Sequence, residues 1–315
     1  MSFLLMRKVQ QGTVQIDDFS LNYAVSESSS DMTLLVIGSA LYYGRLFSEN
    51  LQRRYRMVFV DHRGFARCDR SDVTAEDGSL DRIVEDIEHI RRELQIERII
   101  AVGHSGHAFM ATAYAEAYPE HVQALALLNT APDNSKARQH GSFAFFLEHA
   151  GPERKGRFEK DMADLEAAIA NEPGRRFAHL MTRMRTHSYY DFNVDAAAHW
   201  EGLPTQMPII DHLWGDAFAR IDLKEKIVAL SQKKPVFLGL GRYDYLVAPV
   251  SLWDDLATSG SVESGDRFGI TKLIFEKSGH NPMFEEPDLF DDVFGRWIDA
   301  CAYPASQETT RPDNS

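Results

Sequence analysis

The sequence predicts an α/β domain: a mostly parallel sheet with helices on both faces, interrupted by an inserted helical cap. Short apolar runs without strict alternation, separated by stretches with apolar residues at helical spacing, point to the sheet and its helices. A break in that rhythm between about Pro132 and Gln232, with a strand pattern resuming at Pro235, points to the cap.

Taken in order, the stretch Gly12–Ala24 alternates more than the later runs and predicts an antiparallel hairpin at the sheet edge. Buried strands are predicted at Leu34–Ile37, Met57–Asp61, Arg98–Gly103, Ala124–Asn129, Val236–Leu240 and Leu273–Phe275, each rich in Val, Ile, Leu or Phe. Between them, Leu80, Ile83, Val84, Ile87, Ile90 and Leu94 recur at helical spacing as one apolar stripe. A helix over Ala108–Tyr118 follows the third of these strands and stops at Pro119. Leu289, Val293, Phe294, Trp297, Ile298 and Cys301 mark a last helix. The division expected is core over 1–132, helical cap over 133–232, core again over 233–303 and a polar, disordered tail over 304–315. The cap carries Phe143, Phe145, Phe146, Trp200 and Trp214, which either line an apolar pocket or form the cap's own core.

Composition narrows the partners. A chain of 315 residues, 44% apolar and 26% charged, has the makeup of an ordinary soluble globular protein. A net charge of −13 argues against nucleic acid as a partner, and a small molecule or short peptide is the expected one. No apolar run is long enough to span a membrane, and the opening MSFLLMRK lacks the h-region of a signal peptide, so a cytoplasmic protein is the default expectation. Cys68 and Cys301 suggest neither a disulfide framework nor a metal site. The histidines lack metal-ligand spacing, so neither metal nor cofactor is expected.

The chemistry centres on Arg98-Ile-Ile-Ala-Val-Gly103-His-Ser105-Gly-His107-Ala, a strand, a sharp turn and a helix. A serine on such a turn projects at the carboxyl end of the sheet, beside the N–H groups of a helix N-terminus. A serine hydroxyl is a weak nucleophile until a base takes its proton. This segment resembles the nucleophile turn of the α/β-hydrolase superfamily, usually Gly-x-Ser-x-Gly, with bulky His107 standing where a small residue is usual.

That resemblance implies the order Ser, acid, His. Val236-Phe-Leu-Gly-Leu-Gly-Arg-Tyr-Asp244 places Asp244 just beyond a strand, and Leu273-Ile-Phe-Glu-Lys-Ser-Gly279-His280 places His280 just beyond the next. The phrase SGHNPMFEEP resembles the histidine loop of prolyl-aminopeptidase-like hydrolases. The implied roles are Ser105 as nucleophile, His280 as base and Asp244 as the acid that orients it. Asp254, Asp255 and Asp216 are rivals for the acid, the first two expected to face solvent. By the same resemblance the backbone N–H groups of Ser39 and Gly106 form the oxyanion hole, although Ile37 replaces the usual His before Gly38. Asp61-His-Arg63-Gly64-Phe-Ala66-Arg-Cys68 resembles the superfamily's Asp-x-Arg-Gly-x-Gly-x-Ser and is read as structural, with Arg63 bracing loops.

Taken together, the motifs look most like the proline iminopeptidase-related group. Its members release N-terminal proline from short peptides and hold the substrate ammonium with cap carboxylates. Glu166, Glu172, Glu201 and Asp191 are the candidates for that task, each also readable as a surface charge. A carboxylesterase or related acyl hydrolase needs the same triad and no ammonium site. A non-catalytic binding protein on the same fold is the third reading.

Overall fold

The computed structural model describes residues 10–247, 249–256 and 268–302, so the expected tail over 304–315 lies outside the described residues. Nine strands among them form one sheet: β1 (Gln10–Ile16), β2 (Phe19–Val25), β3 (Thr33–Gly38), β4 (Arg56–Asp61), β5 (Arg67–Cys68), β6 (Ile99–His104), β7 (Val122–Leu128), β8 (Pro235–Gly241) and β9 (Gly269–Phe275). The order across the sheet is β1-β2-β4-β3-β6-β7-β8-β9, with β5 paired to β2. The hairpin β1–β2 is antiparallel to its neighbours, and every pairing from β4 to β9 is parallel. The parallel strands β3 and β6 are buried along their whole length, which is why their sequences read as unbroken apolar runs.

Alternate residues of each strand feed two cores. On one face Leu35, Ile37 and Ala101 pack with Ile83, Ile87 and Ile90 of α3 (Leu80–Glu93) and Met110 and Tyr114 of α4 (His107–Ala117). On the other, Leu34, Val36 and Val102 pack with Leu46 of α1 (Ala40–Leu46), Leu51 of α2 (Glu49–Arg54) and Phe290, Phe294 and Trp297 of a C-terminal helix over Pro287–Ala302. Between β7 and β8 runs the helical insertion: α5 (Lys136–His149), α6 (Pro152–Met162), α7 (Leu165–Asn171), α8 (Arg176–Arg183), α9 (Arg185–Ser188), α10 (Ala197–Trp200), α11 (Met207–His212) and α12 (Leu223–Ser231). A short helix, α13 (Pro282–Glu285), precedes the C-terminal one, which is α14. No helix among the described residues is long and apolar enough to cross a membrane.

Two departures from the sequence reading have physical causes. Strand β9 starts at Gly269, four residues before the apolar run, because a strand at the sheet edge tolerates half-exposed Thr271 and Lys272. The two-residue β5 is exposed or half-buried and carries no apolar signal.

Register and strand order position the site. Parallel pairing sets Ile37 beside Gly103 and His104 beside Leu128, so the residues following β3, β6 and β7 emerge along one edge. The chain steps from β3 to β4 on one side and to β6 on the other. That reversal between β3 and β6 is a topological switch point, where open α/β sheets form their crevice. Ser39 follows β3 there and Ser105 follows β6.

Candidate active site

Ser105 occupies a left-handed backbone conformation with φ of 58°. Such a conformation costs a non-glycine residue about 1–3 kcal/mol and persists only when its surroundings enforce it. The enforcement comes from both sides: the Ser105 amide donates to the Leu128 carbonyl at 2.9 Å, and its own carbonyl accepts from the Ala108 amide at 3.1 Å. Gly103 lets strand and helix approach, since a Cβ there would lie 2.5 Å from the His107 carbonyl oxygen. Gly106 carries the indole of Trp214 against it, where a Cβ would lie 2.5 Å from the ring. Trp214 sits on a π-helical turn over Leu213–Ala217, a geometry frequent at functional sites.

Asp244 and His280 meet in a buried pair, with His280 Nδ1 2.8 Å from Asp244 Oδ2. A carboxylate only accepts, so Nδ1 carries the proton and Nε2 keeps its lone pair. Asp244 Oδ1 accepts from the Leu246 and Val247 amides at 3.0 and 3.1 Å, and Oδ2 accepts from Asn129 Nδ2 at 3.0 Å. The same Asn129 nitrogen donates to the Gly279 carbonyl at 2.8 Å, fastening the acid to the loop that carries His280. Glu285 closes that loop from outside: its Oε1 accepts from the amides of Gly279 at 2.9 Å and Asn281 at 3.1 Å, and its Oε2 from the Tyr190 amide at 2.6 Å. Burial is the main cause that pushes the Glu285 carboxyl up to about 7, against those three amides, which pull it down. The insertion grips the loop as well. The His280 amide donates to the Ser188 carbonyl at 2.6 Å, and buried Arg154 donates to the carbonyls of Thr186, Tyr189 and Tyr190, each at 2.7 Å.

Ser39 caps α1, its hydroxyl accepting from the Tyr42 amide at 3.3 Å. The loop before it is held by Asp61, whose Oδ1 accepts from the Ala40 amide at 2.7 Å while Oδ2 holds the amide and side chain of Asn22. Neither the Ser39 nor the Gly106 amide donates a hydrogen bond among the described residues. Arg63, expected to brace loops, is buried and forks onto Asp86 of α3 at 2.7 and 2.9 Å, with a third bond to Asp17 at 2.8 Å. His107, the bulky residue of the turn, neither faces solvent nor loosens the approach. It is buried, 2.7 Å from the Tyr43 hydroxyl and 3.3 Å from His62 Nε2.

Ser39, Ser105, Gly106 and His280 all line one cavity of about 640 Å³ under the insertion. Ser105 and His280 face it without a direct hydrogen bond between them. Its walls are apolar, with Phe65, Phe109, Phe177, Met181, Trp200 and Trp214 among them. Of the cap aromatics, Trp200 and Trp214 therefore line the pocket, whereas Phe146 packs in a small cluster between the insertion and Tyr245 of the loop after β8. Glu166, Glu172, Glu201 and Asp191 are exposed and outside the cavity lining. Asp254, Asp255 and Asp216 are exposed too, Asp255 paired with Lys224 and Asp216 with Arg220. Asn129, Arg154 and Tyr43 had no role in the motif reading, and Glu285 stood inside the SGHNPMFEEP phrase without a role of its own. Asn129 also had a usable signal, as the polar residue that ends a buried strand pattern.

Comparison with known proteins agrees with this fold. Residues 35–287 match the family model described as alpha/beta hydrolase fold. The AB hydrolase superfamily protein YclE of Bacillus subtilis is 51% identical over 288 residues, covering 91% of this chain and 98% of that protein. An alpha/beta fold family hydrolase from Bacillus anthracis superposes with a TM-score of 0.62 at 17% identity, over 93% of this chain and 99% of the other. The proline iminopeptidase of Mycobacterium smegmatis gives 0.62 at 16% identity, over 93% and 98% of the two chains. At such identities the two superpositions speak for the fold alone.

Proposed function

Because the chain belongs to the alpha/beta hydrolase fold family, we propose that it is a serine hydrolase acting on esters with an apolar acyl group through a Ser105–His280–Asp244 triad. The observation that carries this reading is the buried 2.8 Å Asp244–His280 pair, whose His280 lines the same cavity as the strained Ser105 turn. His280 Nε2 takes the proton of Ser105 Oγ as that oxygen attacks the ester carbonyl carbon. The carbonyl oxygen becomes an oxyanion and accepts from the amides of Ser39 and Gly106. Collapse breaks the bond to the alkoxy oxygen, which leaves as the alcohol with the proton from His280. A water then attacks the acyl-enzyme, gives its proton to His280, and the acid departs as Ser105 is reprotonated. The open Ser105–His280 contact is compatible with this role, since catalytic hydrogen bonds often tighten only with substrate.

Ester hydrolysis is preferred to release of N-terminal proline on the electrostatics of the cavity. A desolvated ammonium needs a carboxylate partner. Asp211 is the one carboxylate lining the cavity among the described residues, and both its oxygens lie 2.7 Å from Arg176 Nη2. A fluorophosphonate probe is expected to label Ser105 in the wild type and not in Ser105→Ala. Parallel assays on nitrophenyl esters and proline nitroanilide are expected to show ester cleavage. Release of proline without ester cleavage would reverse the preference, and absence of labelling would favour a binding protein.

A second refinement has its own observation. Arg138 lines the cavity, and among the described residues its one carboxylate partner is Asp133, at a long 3.4 Å. A guanidinium on the cavity wall with only a long carboxylate contact favours an acyl group that ends in a carboxylate.

A further inference from the structure

We propose that His62, His107, Tyr43 and His104 are positioning residues, joined in a buried hydrogen-bond chain of fixed direction that ties the Ser105 turn to the Ser39 loop and to the main chain of His280. The proposal rests on the reading of Ser105 and His280 as the reacting pair. All four side chains are buried, and none of their polar atoms is left without a partner.

The direction follows from counting donors from both ends. A neutral imidazole has one N–H donor and one acceptor nitrogen. At one end the Gly64 amide donates to His62 Nδ1 at 3.0 Å, so the proton of His62 is on Nε2. That nitrogen lies 3.3 Å from His107 Nε2, which must accept, leaving the His107 proton on Nδ1. Nδ1 then donates to the Tyr43 oxygen at 2.7 Å. At the other end the His280 carbonyl can only accept, so His104 donates to it from Nε2 at 2.7 Å. His104 Nδ1 is therefore bare and accepts from the Tyr43 hydroxyl at 3.1 Å. The two counts meet at Tyr43, which accepts from one ring and donates to the other, the His104 carbonyl at 3.4 Å being the more distant acceptor for the same proton. An imidazolium anywhere in the chain would present two donors and break it. Burial holds His62 down at about 3, and burial with the neighbouring rings holds His104 and His107 well below the usual imidazole range.

The chain joins the parts that have to be in register for the reaction. His104 and His107 flank Ser105. Tyr43 sits on α1, whose cap is Ser39. The His107 ring lies against Gly38, where a Cβ would come 2.9 Å from its Nδ1. The bulky His107 thus buttresses the oxyanion loop, a task Ile37 has no polar atom to perform, and His104 fixes the carbonyl of the base itself.

Imidazole 15N spectra of the full-length protein at pH 7, assigned by single-histidine variants, test the direction without any substrate. The expected result is a proton on Nε2 in His62 and His104 and on Nδ1 in His107; the opposite tautomer in any of the three overturns the chain. Its action on the site is tested by the rate of fluorophosphonate labelling of Ser105. Tyr43→Phe is expected to lower the maximal labelling rate on the order of 10- to 100-fold, with little change in the concentration for half-maximal rate. His104→Gln, whose amide can still donate to the His280 carbonyl, is expected to keep more of that rate than His104→Leu. Wild-type labelling in folded Tyr43→Phe, or equal losses in the two His104 variants, refutes the positioning role. A wild type with the expected tautomers that does not label refutes instead the reading of Ser105 as nucleophile, and the positioning role with it.

Discussion

Asp244 spends every oxygen contact on holding one imidazole still: two amides on Oδ1, and Asn129 with the ring on Oδ2. Replacing it with Asn would present an amide where only an acceptor serves, turning His280 toward the wrong tautomer. Asp244→Asn is expected to lower kcat about 10,000-fold and, because its NH2 also meets Asn129 Nδ2, to lower the melting temperature modestly without unfolding the protein, measured by steady-state kinetics and calorimetry on one preparation. Glu285 gives a prediction in pH. Its carboxyl stands at about 7 in the fold against an ordinary value of 4.5, with burial the leading cause. The folded state therefore binds the proton more tightly than the unfolded chain. The stabilisation is complete below pH 4.5 and is lost as pH rises through 7. Glu285→Gln keeps an oxygen for the Gly279 and Asn281 amides, removes the charge, and sets its NH2 against the Tyr190 amide, a cost that does not vary with pH. Thermal melts should show the variant gaining on the wild type as pH rises from about 4.5 to about 8, by on the order of 1–2 kcal/mol relative to the difference in acid. A constant difference across that range would exclude the carboxyl as its source.

At the scale of elements, the turn after β6 depends on a close approach that one methyl would spoil. A Cβ on Gly103 would meet only main-chain atoms, the His107 carbonyl oxygen at 2.5 Å and Ala108 Cα at 2.6 Å, so no side chain can swing aside. Gly103→Ala should cost on the order of 2 kcal/mol or more in chemical denaturation and slow labelling of Ser105. This part of the site was open to sequence reading because strand, glycine, serine and helix are contiguous. The grip of the insertion on the His280 loop was not. Arg154 lies far along the chain from His280, and its three acceptors are main-chain carbonyls, which leave no mark in residue identity. Nor could spacing show that His62 and Tyr43 reach His107, because the contact depends on the order of β3, β4 and β6 in the sheet. Arg154→Leu leaves the Thr186, Tyr189 and Tyr190 carbonyls buried without that donor. It is expected to destabilise the fold by about 2–4 kcal/mol and to lower kcat more than KM, since the Ser188 carbonyl in the same segment receives the His280 amide.

At the scale of the whole molecule, a chain with a net charge of −13 carries a cavity with a loosely paired cation, Arg138, on its wall. The walls from Phe65 to Trp214 accommodate an apolar chain, and Arg176 with Asp211 forms a neutral pair. That leaves Arg138, whose contact with Asp133 is long at 3.4 Å. An acyl chain ending in a carboxylate would place its charge against that guanidinium while its methylenes stay on the aromatic walls. The discriminating substrates are pairs of nitrophenyl esters with equal acyl length, one ending in a methyl group and one in a carboxylate, compared over a series of lengths because the reach to Arg138 selects among them. At the matching length the charged ester should have the higher kcat/KM, by about 10-fold or more, as a charge-assisted hydrogen bond in a sheltered site provides. Arg138→Met should bring the ratio between the two esters to one or below, because the carboxylate then enters an apolar cavity without a partner. Equal rates for both members of every pair in the wild type would reject the carboxylate and leave a plain acyl hydrolase. Failure to cleave either, with Ser105 still labelled, would point to a scissile bond other than an ester.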